Sequence, residues 1–230
     1  MSDTDIVIHR LAELGAAQRD ALLRRTEDDL APFMQKVSPV IEDVRMHGDA
    51  ALRRYAHQFD GAELADKAIL ASRADFDRAF DVLAPEMIET LEYAADNIRR
   101  YHEKQLPKAE WRMEIRPGVE VGERAFGIDS CALYSPRGKG SFPSVTLMTA
   151  IPAVVAGVRQ PLILTPPMAD GDIDPATLVA ARLSGVELVA KAGGAQAVAA
   201  AAFGTDEVPK CLKIEGPGSL SLDMAIGKTF

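Results

Sequence analysis

Cys131-Ala132-Leu133-Tyr134-Ser135-Pro136-Arg137-Gly138-Lys139-Gly140-Ser141 sets a short apolar run directly against a loop of Gly, Pro, Ser and cationic residues. The same juxtaposition recurs downstream. Pro161–Thr165 runs into Pro166-Pro167, Leu188–Lys191 into Gly193-Gly194, and Leu212–Glu215 into Gly216-Pro217-Gly218-Ser219. Between these runs lie the segments Ser144–Ala156, Asp174–Leu183 and Ala195–Phe203, each long enough and apolar enough to be a helix. The reading is β-α-β-α-β-α-β. Crossovers of this length join parallel strands, so a mostly parallel sheet with helices on both faces is predicted for this region. Local signals agree. Asp174-Pro175 fits an N-cap followed by Pro in the first turn, and Gly185 and Gly204 stand where their helices should end.

From Ile6 to about Glu110 the rhythm is helical. Leu11, Leu14, Leu22 and Leu23, then Val37, Val40, Ile41 and Val44, then Met87, Ile88, Leu91, Ala95 and Ile98 fall at three- and four-residue steps. His47-Gly48-Asp49, Phe59-Asp60-Gly61 and Leu106-Pro107 are turn or stop signals that separate these helices. Short strands are expected near Ala68–Ala71 and Glu120–Arg124. The domain division predicted is a helical region with part of an α/β domain over residues 1–125, then a Rossmann-like nucleotide-binding domain over 126–230 that ends prematurely.

Composition narrows the function classes. A chain of 230 residues with 47% hydrophobic and 26% charged residues buries a core. Its formal net charge of −8 opposes a nonspecific nucleic-acid surface, which needs clustered positive charge. The apolar stretches break short of the roughly 18 residues a membrane span requires, and Met1–Arg10 lacks the order of a signal peptide, so a cytoplasmic protein without membrane or nucleic-acid partners is expected. Cys131 and Cys211 show no CxxC spacing and read as two buried, inert thiols.

In parallel sheets ligands bind beyond the carboxyl ends of the strands, where free N–H groups face anions. Any one of the four loops reads equally well as a plain turn, but the four together favour a phosphate-bearing ligand. Arg137 and Lys139 flank Gly138 in the first loop. The dinucleotide fingerprint is nevertheless absent, since Pro143 replaces its third glycine and the acidic partner is missing. Gly227-Lys228-Thr229 imitates the end of a P-loop, with Leu222 where a glycine belongs, and is read as chance. His9, His47, His57 and His102 show no ligand spacing and are expected to be solvated or capping residues. No Ser-His-Asp or paired-carboxylate constellation is evident.

Tyr134-Ser135-Pro136-Arg137-Gly138, Phe142–Ala153, Gly193-Gly194-Ala195-Gln196-Ala197 and Lys213–Gly218, in this order and spacing, resemble the histidinol dehydrogenase family. The resemblance extends back through Asp43-Val44-Arg45, Gly48-Asp49-Ala50 and Phe59-Asp60, and covers nearly everything up to Ser219. It implies an incomplete aldehyde-dehydrogenase-like architecture. It implies a homodimeric enzyme, dependent on zinc and NAD, that oxidises the amino alcohol L-histidinol through the aldehyde to L-histidine in histidine biosynthesis. The family's NAD-contacting Tyr, Gln and Asn correspond to Tyr134, Gln196 and Ser219. Tyr134 and Gln196 read otherwise as packing and helix-start residues.

The departures carry their own expectations. Ser219 replaces the family's Asn, and Leu220–Gly227 leaves the family's pattern. Family members are about twice as long, with their Glu-His acid/base pair and zinc ligands beyond the position of Phe230. A truncation or frameshift, no catalytic residue and no zinc ligand in these residues, and an inactive chain are therefore predicted. Arg137 in place of a Gly common in biosynthetic members leaves open a dehydrogenase of another amino or sulfonated alcohol, and a non-catalytic nucleotide-binding chain is the further alternative. Zinc titrated calorimetrically into the purified chain should give no tight one-to-one isotherm. Such an isotherm, abolished by replacing one histidine, would reveal a site that the fold assembles from distant residues.

Overall fold

The structure, a computed structural model, describes residues 8–23, 31–137 and 140–217. Helices α1 (Ala16–Leu23), α2 (Ala31–Tyr55), α3 (Arg73–Val82) and α4 (Pro85–Gln105) precede strands β1 (Glu110–Arg116) and β2 (Val119–Arg124). Then follow β3 (Ser130–Tyr134), α5 (Pro143–Val155), β4 (Gln160–Thr165), α6 (Pro175–Ser184), β5 (Leu188–Lys191), α7 (Gly194–Phe203) and β6 (Lys213–Glu215). The alternation read from residue 126 onward is present, with bounds shifted by a residue at several ends.

Strands β3 to β6 form a sheet of order β5-β4-β3-β6, every pair parallel. Parallel strands buried on both faces carry near-continuous apolar runs, and β3 is buried from end to end. Successive side chains point to opposite faces. Ala132, Tyr134, Leu162, Leu164 and Ala190 enter a core closed by α2 and α7. Cys131, Leu133, Ile163 and Val189 enter a second core closed by α3, α4, α5 and α6. The amino-terminal helices thus seal both faces of a sheet drawn from the later sequence.

Local chemistry explains the ends. Ser72 accepts from the Asp75 N–H while the Asp75 side chain accepts from the Ser72 N–H, a capping box that starts α3. Asp174 caps α6 at the Thr177 N–H (2.9 Å), and Gly185 closes that helix at φ 88°. At Gly48 (φ 48°, ψ −126°) the expected break becomes a kink inside α2 rather than a separation of two helices. The strand expected near Ala68–Ala71 reduces to one antiparallel bridge, Leu70 against Ala190. The strand expected at Glu120–Arg124 gains a partner that the sequence reading did not include, because β1 pairs with it antiparallel. Both faces of this hairpin are exposed, including Met113, Ile115 and Val121.

Replacing Ile163, fully buried in the central strand β4, by Ala should destabilise the chain by about 2–5 kcal/mol. Met113→Ala in the hairpin should stay within about 0.5 kcal/mol. Urea denaturation compares the two, and equal losses would contradict the placement of the core.

Candidate functional site at the carboxyl edge of the sheet

The sheet order reverses direction once. After β3 the chain steps to β4 and β5 on one side, then returns through α7 to place β6 on the other side of β3. The crevice between the ends of β3 and β6 is therefore the topological switch point, where doubly wound sheets bind their ligands. Tyr134 ends β3, and Gly216 follows β6. A Cβ on Gly216, at φ 145°, would lie 2.4 Å from the Tyr134 carbonyl oxygen, so only glycine lets the two strand ends approach this closely.

A second pair of glycines brings α7 to the same place. A Cβ on Gly193 would strike the Pro166 ring at 2.4 Å, and Gly194 adopts the left-handed φ of 59°. The Gly194 N–H donates to the Tyr134 hydroxyl oxygen (3.2 Å), leaving the phenol proton free to donate elsewhere. The Gln196 side chain folds back over Gly194, with Oε1 at 2.9 Å from where a Cβ would sit. Tyr134 and Gln196 are thus brought together around one helix N-terminus, both largely buried. Ser219, the third expected cofactor residue, lies outside the described residues.

The loop after β3 is tethered. The Ser135 and Thr146 hydroxyls share a hydrogen bond of 2.8 Å, the Arg137 guanidinium donates to the Pro167 carbonyl (3.3 Å), and Ser141 donates to the Asp174 carboxylate (2.6 Å). Arg137 accordingly bridges the loops after β3 and β4, at the carboxyl edge of the sheet. Lys139 lies outside the described residues. Lys191, buried at the end of β5, faces the other side of the sheet, where its ammonium stands 4.0 Å from Asp75.

A residue that the sequence reading placed in a turn and in the family resemblance, without a site role, belongs to this cluster. Ala56–Asp60 forms a single π-helical turn after α2, closed by Gly61 at φ 65°. It delivers Asp60 into electrostatic reach of Arg137 and Tyr134. Asp60 Oδ2 is buried with no hydrogen-bond partner. Burial pushes its carboxyl up to about 6, against the pull of the Arg137 charge. Burial raises the Tyr134 phenol as well, the Gly194 N–H opposing this and the Asp60 charge adding to it. The readable signal was the Asp-Gly pair in Phe59-Asp60-Gly61, where the left-handed glycine reverses the chain and fixes the acid in front of it.

Among the described residues a cavity of about 830 Å³ adjoins the switch point at Gly216. It opens on the α5 face, walled by Leu106, Phe126, Leu133, Met148, Pro152 and Pro217. Cavity size favours this groove and convergent polar groups favour the switch point; we place the site at the latter, since the groove is mainly apolar, with Lys213 and Glu215 as the charged members of its lining. Among its walls Phe126 is 83% and Met148 61% exposed.

Among the described residues no three of His, Cys, Asp and Glu gather closely enough to hold a metal ion, so these residues do not fit zinc. His47 and His57 each pair with one carboxylate at the surface. Both cysteines are free, and burial pushes their thiols up to about 11. Among the described residues no helix is long and apolar enough to cross a membrane.

An α/β chain with a four-stranded parallel sheet and a polar cluster at its switch point is the class of protein so defined. The sequence model of the family described as histidinol dehydrogenase matches residues 23–226, and this chain belongs to that family. It is 53% identical over 216 residues to "Histidinol dehydrogenase homolog 2" of Mesorhizobium japonicum, covering 94% of this chain and 49% of that protein. It is 57% identical over 210 residues to "Histidinol dehydrogenase homolog" of Cereibacter sphaeroides (91% and 48%), and 43% identical over 220 residues to "Histidinol dehydrogenase" of Methanosarcina barkeri (96% and 50%). The crystal structure of histidinol dehydrogenase from Elizabethkingia anophelis superposes with a TM-score of 0.83 at 32% identity, covering 94% of this chain and 49% of that one. The chain spans about half the length of the relatives it matches.

The Asp60 carboxyl yields a pH test. An acid whose folded value is raised holds a proton that the unfolded chain has released, so stability falls as pH rises from about 4 to about 6 and is level above that range. Asp60→Asn removes the cost of the buried charge. Because Asp60 is partly solvated, the variant should gain only about 1 kcal/mol over the wild type, the gain growing between about pH 4.5 and about pH 7.5. Urea midpoints at the two pH values check this, and an unchanged gap would contradict the burial of Asp60.

Proposed function

We infer that this chain carries the nucleotide-binding side of an NAD-dependent dehydrogenase of an amino alcohol, with L-histidinol as the substrate to be tested first. The carrying observation is the convergence of Tyr134, Gln196 and the Gly194 N–H at the switch point, in a chain of the histidinol dehydrogenase family. These residues suit NAD by their chemistry. Tyr134 offers a hydroxyl donor and a ring edge, Gln196 an amide able to donate and accept, and Arg137 a positive charge for a phosphate. Ser219 completes the set in this reading, which assigns the nucleotide to residues 126–230. Bound NAD would supply the hydride acceptor, and the residues named would hold and orient it. Zinc, the substrate-side acid and base, the homodimer and a cytoplasmic setting belong to the whole protein in the same proposal.

A second reading concerns the alcohol. Four relatives at 52–57% identity bear the name homolog, whereas four named histidinol dehydrogenase stand at 41–43%. This gradient favours an amino or sulfonated alcohol other than histidinol as the substrate of the whole protein.

Hydride transfer needs the nicotinamide held against the substrate carbon while a base takes the hydroxyl proton. The 230 residues alone should bind NAD no tighter than about 1 mM, near 4 kcal/mol of binding free energy, and should oxidise no histidinol above background. Calorimetric titration with the wild type and with Gln196→Ala, beside a turnover assay, checks both statements. Turnover by the chain would show that its catalytic apparatus is present, and NAD binding indifferent to Gln196→Ala would move the cofactor elsewhere.

A further inference from the structure

We propose that Asp60 is a specificity-determining residue of the nucleotide site, its carboxylate accepting a hydrogen bond from a ribose hydroxyl of the bound dinucleotide. The inference deepens the nucleotide reading above and rests on it. Several polar groups described at this edge already have a partner. Tyr134 accepts from Gly194, Arg137 donates to Pro167, Ser135 pairs with Thr146, and Ser141 binds the cap of α6. Asp60 alone in this group has a buried oxygen without a partner. A buried acceptor left without a donor destabilises the chain, and a ligand hydroxyl that reaches the carboxyl recovers part of that cost on binding.

The surroundings select the ligand group. Asp60 shares its electrostatic neighbourhood with Tyr134 and Arg137, the one a candidate nucleotide contact and the other the cation at the phosphate-facing edge. A carboxylate here attracts a neutral hydroxyl donor and repels a second anion. It therefore also disfavours a ribose that carries a phosphate in place of that hydroxyl, the logic by which an acidic residue separates NAD from NADP in doubly wound folds. Here the acid comes from the turn after α2 rather than from the sheet. With its carboxyl at about 6, Asp60 is largely ionised, and so an acceptor, at neutral and alkaline pH.

The test uses the full chain and four probes: NAD, NADP, and two NAD analogues lacking the 2′-hydroxyl on one ribose or the other, each titrated by ligand-observed NMR at about pH 7.5. Asp60→Asn should weaken NAD about tenfold and bring NADP closer to it. One of the two analogues should lose the same factor on the wild type and lose nothing further on Asp60→Asn, because ligand group and side chain then report one shared bond. Wild-type affinity for both analogues equal to that for NAD would overturn the proposal even if the variant failed to fold. NAD binding sensitive to Gln196→Ala but not to Asp60→Asn would overturn it while leaving the nucleotide reading intact. Absence of any NAD binding would overturn both.

Discussion

The two-sided burial of strands β3 and β4 holds the molecule together. Alternate residues of the same short runs enter opposite cores, so Ala132, Tyr134, Leu162 and Leu164 depend on α2 and α7 while Cys131, Leu133 and Ile163 depend on α4, α5 and α6. A parallel sheet cannot leave either face to water, because its apolar runs have no polar side to offer. The helices before residue 126 are in this sense a condition for the strands after it. Loss of packing on one face would loosen the strands that the other face shares.

The same constraint positions the site. Once β3 is pinned from both sides, the approach of β6 is governed by how near Gly216 comes to the Tyr134 carbonyl, and the approach of α7 by Gly193 against Pro166. The polar groups then meet at the edge without any long loop to carry them. Asp60 arrives differently, on a π-helical turn at the end of a helix from the opposite end of the sequence. That turn leaves its carboxyl buried and without a partner. Such an arrangement sacrifices local stability at a place where a ligand can restore it.

Most of the later architecture was legible because each signal was local. Strand runs ended at Gly and Pro, Asp174-Pro175 opened α6, and Gly185 and Gly204 closed their helices. Tyr134 and Gln196 were singled out by resemblance rather than by pattern, and the fold brings them together around Gly194. What the reading left out was set by tertiary geometry or by weak periodicity. Strand β1 carries alternating charges, Glu110, Arg112 and Glu114, that mask its apolar positions. Helix α3 announces itself only through the Ser72/Asp75 box, with a small buried stripe of Phe76 and Ala79. Asp60 was not singled out as a site residue, because its burial and its nearness to the Arg137 charge, about 75 positions along the chain, arise only in the fold.

The two thiols lead outside the question of activity. Cys131 lies in β3 and Cys211 just ahead of β6, each sequestered and held protonated well above neutral pH. Thiolate is the form that attacks alkylating reagents and disulfides, so the native chain presents almost none of it. Their reactivity becomes a clock for opening of the sheet, since a thiol-specific label can enter only when β3 and the segment leading into β6 part. A cysteine introduced at an exposed position would meanwhile react alone, which gives a spectroscopic probe a single address on an otherwise silent background.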